Sequence, residues 1–324
     1  YDDFVAVRLM FFAEGNAVMV RNDGPNKTTG GPLILIATDV ENTGLITAEN
    51  GDIVLAAGKS VEIADPHQPS LRVKIEAGGE AINLGQLISR GGSVGMFGAA
   101  LTQAGRISAT GAHRTEDGRI VLRGSKSVTL TAQSETSAQT ADGTGGSIDI
   151  SAPEVKVDAG ALVDASGTAG GRIEVSAEQR ATVEGTLRAV GRVDSSPAAG
   201  TPAPVAPTAP TPAVGDDIDL PVTAAGPAPV APASVPLGRG GEIVVTAETV
   251  VLDGDAVLDA SGDAGGGSIL VGGDWQGANP EVRNARISWV GHGVSLLSDA
   301  LLKGDGGKVV VWADEATAFA GSIW

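Results

Sequence analysis

Short runs in which apolar and polar residues alternate recur along this chain, and each run opens on glycine. Gly145-Gly146-Ser147-Ile148-Asp149-Ile150-Ser151-Ala152 and Gly170-Gly171-Arg172-Ile173-Glu174-Val175-Ser176-Ala177 are two of the clearest. Ile148, Ile150, Ile173 and Val175 recur there at period two, which predicts half-buried strands with these side chains facing a core. The runs after Gly241 and Gly267 put Ile243, Val245, Ile269 and Val271 in the same role. Further copies follow Gly31, Gly51 and Gly307. Gly146, Gly171, Gly241 and Gly267 are read as structural corners, where positive φ or close backbone approach would exclude a Cβ. A second motif, Leu162-Val163-Asp164-Ala165-Ser166-Gly167, returns almost unchanged as Val257-Leu258-Asp259-Ala260-Ser261-Gly262.

The spacing of the corners turns strands into coils. Gly92, Gly118, Gly146 and Gly171 are separated by 26, 28 and 25 residues, and Gly241 to Gly267 is again 26. Gly51 to Gly92, at 41, and Gly267 to Gly307, at 40, read as two shorter coils each. Glycine and β-branched residues dominate the pattern, so no capped helix can be drawn through it. The prediction is an all-β, right-handed parallel β-helix solenoid of roughly ten to fourteen coils, each pairing in register with the next. One interval breaks the rhythm. Gly171 to Gly241 spans 70 residues and holds a Pro/Ala-rich tract, 193–238; without it the interval returns to coil length. The expected organisation is β-helix over 1–192, an inserted extended loop over 193–238, and the same β-helix over 239–324. A linker between two separate rods is the alternative.

Composition narrows the class. Aromatic residues make up 3% of the 324, so the core must be built from Val, Ile, Leu and Ala, which suit narrow coils. The formal charge of −17 comes with scattered Lys and Arg, which argues against nucleic acid as a partner. Cysteine is absent, and a continuous solenoid core does not need disulfides. The apolar stretch 4–20 is interrupted by Arg8, Glu14, Gly15 and Asn16, so it reads neither as a membrane span nor as a signal peptide. A start at Tyr1 is expected of a fragment or a processed product.

Several segments carry a more specific likeness. Residues 51–62, the Gly-Asp-Trp-Gln-Gly stretch within 266–277 and the Val-Trp-Ala-Asp stretch within 304–314 resemble the filamentous-haemagglutinin-like exoproteins of two-partner secretion. Asp3-Phe4, Gly15-Asn16-Ala17 and Asn22-Asp23-Gly24, within 1–30, look like the end of that family's N-terminal secretion domain. The resemblance implies a long right-handed β-helix, secreted to the bacterial cell surface with an outer-membrane transporter as partner. It also implies a role as adhesin, biofilm or extracellular fibre component, or stalk of a contact-dependent toxin. Homotypic fibre association and unidentified surface receptors or glycans would follow.

Parallel β-helices also include polysaccharide lyases and glycosidases, so catalysis is the competing expectation. Asp164 and Asp259 recur on the coil period, but Asp-Ala-Ser-Gly is turn chemistry, and the sequence shows no basic cluster beside them. They are assigned to structural turns, with no catalytic, metal or cofactor residue expected and no enzyme activity. His67, His113 and His292 are isolated in loop-like sequence. Trp275, Trp289, Trp312 and Trp324 are read as packing residues, with a carbohydrate-stacking row as the alternative. Asn26-Lys27-Thr28 fits a glycosylation acceptor.

Overall fold

A computed structural model describes residues 9–12, 18–63, 73–111, 118–139, 143–192 and 238–324. Every glycine-initiated run in them is a strand, and corresponding strands of successive coils pair in parallel. Three sheets result, and the polypeptide visits them in turn. The first takes Leu33–Ala37, Glu242–Thr246, Ser268–Val271 and Lys308–Val311 together with the front halves of the long strands. The second takes Met19–Asn22, Asp39–Asn42, Glu80–Asn83, Thr249–Leu252, Ile287–Val290 and Ala316–Phe319 with the back halves. The third runs from Pro25–Thr28 to Ser322–Ile323 and contains ten strands among the described residues, which gives their stack ten levels. This is a parallel β-helix solenoid.

The long strands Val94–Gln103, Arg119–Leu130, Ser147–Val157 and Arg172–Val183 serve two sheets by bending partway along, at register shifts in their pairing. Inward side chains stack in columns. One runs Ile53, Val94, Ile120, Ile148, Ile173, Ile243, Ile269 and Val309; its neighbour holds Ile150, Val175, Val245 and Val271. Ile148, Ile150, Ile173, Val175, Ile243, Val245, Ile269 and Val271 are all buried in one continuous cluster. Each such side chain contributes about 1.5–3 kcal/mol of transfer free energy.

The corner glycines have a single physical cause. A Cβ on Gly146 would lie 2.1 Å from Gly118 O; on Gly171, 2.1 Å from Gly146 O; on Gly241, 2.0 Å from Gly171 O; on Gly267, 2.0 Å from Gly241 O. Close approach of coil on coil excludes the side chain. None of the four has positive φ.

Two intervals differ from expectation. Ile53 pairs with Val94 and Ser268 with Lys308, so 51–92 and 267–307 are one coil each, not two. The described extra residues leave the stack. In the first, Ile53–Ile63 runs on into an antiparallel pairing with Val73–Gly78 and with Leu9–Phe12. In the second, a loop over 272–286 crosses the outside of the first sheet. Both excursions occur where the outward column is apolar: Ile34, Val54 and Val121 at one end, with Ala56 and Phe97 in the adjacent column, and Val244, Leu270 and Val310 at the other. Between them that column carries Asp149 and Glu174. Glycine spacing records length but not which residues stay in the ladder, so the sequence pattern missed these departures.

The tract 193–238 lies outside the described residues apart from Gly238. The strands on either side of it pair directly, Arg172–Val183 with Glu242–Thr246 and Thr186–Arg188 with Val257–Asp259.

Candidate functional site

Three groups of polar side chains have the makings of a site. The recurrent aspartates come first. Asp164 Oδ1 accepts the Ser166 N–H at 2.8 Å, and Asp259 Oδ1 accepts the Ser261 N–H at 3.0 Å. The serines tie each turn to the next coil: Ser166 Oγ accepts from Val190 N at 3.0 Å and Ser261 Oγ from Asp299 N at 3.1 Å. These turns hold strand ends and leave one carboxylate oxygen of each aspartate outside the turn. Sequence reasoning found no basic residue near them, yet the register places Arg188 between Asp164 and Asp259 on the outer side of the third sheet. Arg188 reaches Asp164 at 3.9 Å. It lies on a coil without the Asp-Ala-Ser-Gly motif, which is why the pattern hid it.

The second group is a ladder of buried amides. Asn22 Nδ2 donates to Asn42 Oδ1 at 2.7 Å, Asn42 Nδ2 to Asn83 Oδ1 at 2.8 Å, and Asn83 Nδ2 to Gln103 Oε1 at 2.8 Å. Asn26 Nδ2 donates to Asn22 Oδ1, so the amide of the glycosylation motif is engaged at the ladder's end. Gln103 closes the series on the carbonyls of Gly105 and Glu135. The following levels carry Leu130, Val157, Val183, Leu252 and Val290 in the same column. Asn has the right length to span one coil and satisfy its neighbour in a dry interior, where an unmade bond is costly.

The third group unites the two later stretches that carry the family likeness. In 272–286, Asp274 accepts from Trp275 N at 2.6 Å and from Asn279 Nδ2 at 2.9 Å, and pairs with Lys308. The Lys308 ammonium first, then the Asn279 amide and the Trp275 N–H, hold its carboxyl down at about 2, against an ordinary 3.8. Gln276 turns the backbone at φ 56°, and Gly277 follows at 61°. A Cβ on Gly277 would meet Asn284 Nδ2 at 2.5 Å and Trp312 Nε1 at 2.8 Å. Asn284 and Trp312 both donate to Asp314 Oδ1 at 3.1 Å. Val282 and Trp312 pack on Val244, Leu270 and Val310, and Arg283 reaches back to the carbonyls of Ala177 and Glu178 at 3.0 Å. The two stretches thus form a clamp across neighbouring coils. Trp312 is a packing residue; Trp275, Trp289 and Trp324, at 67%, 47% and 68% exposure, are not.

Among the described residues no group of three or more His, Asp or Glu is placed to hold a metal. His292 lies on an exposed turn, and His67 and His113 are outside the described residues. No helix of the described residues is long and apolar enough to cross a membrane.

Among solved structures, the secretion domain of HMW1 from Haemophilus influenzae shares this fold. The match has a TM-score of 0.53 at 16% identity and covers 98% of this protein and 68% of that one. The likeness therefore runs through the stack on both sides of residue 193. No protein-family model matches the sequence, and no curated protein matches it.

Proposed function

We propose that this protein is part of a secreted bacterial surface exoprotein of the two-partner kind, in which the β-helix acts as a structural rod. One observation carries the reading. Two of the stretches that resemble filamentous-haemagglutinin-like exoproteins converge on a single built feature, the clamp of 272–286 on Lys308, Trp312 and Asp314. The fold shared with a secretion domain supports it. In this reading an outer-membrane transporter is the export partner, the destination is the cell surface, and the rod presents or extends an adhesive, fibre-forming or toxic element. The stack supplies what such a role needs: stiffness from continuous ladders and no dependence on disulfides. The test is export. The encoding gene, expressed with and without its neighbouring transporter gene, should yield surface or medium protein only with the transporter. Equal release without it, or cytosolic retention with it, overturns the reading.

The Asp164–Arg188–Asp259 row is the observation that favours a carbohydrate-active enzyme. Against it, both aspartates each spend one oxygen on a turn N–H. We expect pectin and alginate to survive incubation with the protein, with or without calcium. Depolymerisation lost in Arg188→Gln would install the enzyme reading instead.

A further inference from the structure

Asn50-Gly51 is the single Asn-Gly pair in the sequence, and it sits at the corner between Leu45–Glu49 and Ile53–Ile63. Asn50 adopts φ 56°, a left-handed conformation. Pairing of Glu49 with Arg90 places Gly91, at φ 87°, in the equivalent position one coil on. Glycine serves this corner without a side chain, and asparagine is among the few residues that tolerate it. The residue after Asn50 has no such latitude. A Cβ on Gly51 would lie 2.1 Å from Gly31 O, and one on Gly92 would lie 2.4 Å from Gly51 O. Stacking alone therefore forces glycine behind an exposed asparagine. Among the described residues, neither the Asn50 carboxamide nor the Gly51 N–H has a hydrogen-bond partner, while the Asn50 N–H donates to Arg90 O at 2.6 Å.

We propose that Asn50 is a site of spontaneous modification through a succinimide. The Gly51 nitrogen, losing its proton to solvent base, attacks Asn50 Cγ; the new N–C bond forms as the Cγ–Nδ2 bond breaks and ammonia leaves. Water then opens the ring at either carbonyl, giving aspartate or isoaspartate. Glycine at the following position removes the steric barrier to that attack, and asparagine is a thermolabile residue. The products differ in consequence. Aspartate adds a negative charge beside Glu49, which already draws on Lys27 at 2.9 Å and Arg90 at 3.5 Å. Isoaspartate adds a carbon to the backbone at a corner that Gly31, Gly51 and Gly92 stack too closely to absorb.

The test is peptide mapping by mass spectrometry of the intact folded protein aged in mildly alkaline and in mildly acidic buffer. The peptide containing Asn50 should gain about 1 Da, as an Asp/isoAsp doublet, faster in alkali, while Asn42 and Asn83 stay unmodified. Asn50→Gly, which copies the conformation at Gly91, should fold and abolish the shift. A urea-unfolded sample reports the intrinsic chemistry. Conversion there with none in the folded protein means the corner protects Asn50, and overturns the proposal. So does equal conversion at Asn42 or Asn83 in the folded protein.

Discussion

Thr136 stands in an inward column between Ile107 and Val163, fully buried, and its hydroxyl has no partner; nor has that of Ser134. A buried hydroxyl without a bond costs more than it returns, so the isosteric Thr136→Val should stabilise the fold by about 1 kcal/mol. Chemical denaturation would read this as a higher midpoint at unchanged slope. The amide ladder behaves oppositely. Asn42 both donates to Asn83 and accepts from Asn22, so Asn42→Leu leaves two buried amides short of a bond and should destabilise by about 2–4 kcal/mol. An unchanged melting temperature would mean the ladder is not formed in solution. Asp274 sets a pH dependence of defined sign. Its folded value, about 2, lies below the ordinary 3.8, so its contribution to the clamp is complete above the ordinary value. The contribution fades as pH falls from there toward about 2. Amide exchange in 272–286 should accelerate over that window, and Asp274→Asn should flatten the change.

Single elements show what the sequence made legible. Alternation identified the inward set, because a one-residue slip would bury Asp149 and Glu174 in place of Ile148 and Ile173. Ile173→Asp buries a charge with no partner and should cost about 3–5 kcal/mol by thermal melting; a melt like the parent's would show the register to be wrong. Corner glycines were legible as positions, and the two causes offered for them reduce to close approach at Gly146, Gly171, Gly241 and Gly267. The antiparallel excursion and the clamp were illegible for a different reason. They occur over outward-facing residues such as Val54 and Leu270, whose burial depends on segments that the coil pattern does not place. Arg188 between the aspartates escaped for a related cause, since residues that meet across coils are separated by a whole turn of sequence.

At the scale of the molecule, the described stack runs to Arg192 and resumes at Gly238. Arg192 N donates to Gly167 O at 2.8 Å, Arg239 O accepts from Gly170 N at 2.9 Å, and the backbones of Gly191 and Arg239 run close together. Joining Arg192 to Arg239 should therefore leave melting temperature unchanged or slightly raised, because loop closure costs only the logarithm of length. Proteolysis between 193 and 238 should nick without separating the two parts. Aggregation of the shortened protein, or release of independent halves on nicking, would make the tract a linker between rods. The register has one more consequence, for how such a protein gains or loses length over evolution. Excising 146–170 would set Ile120 on Ile173 and Leu122 on Val175, an interior no worse than before. Outside, the same cut would bring Arg119 onto Arg172, trading the Arg119–Asp149 pair at 2.7 Å for a like-charge contact. Within the apolar levels, turns of this kind are interchangeable from within and individual from without, so the outward charges discriminate between turns that the interior treats alike.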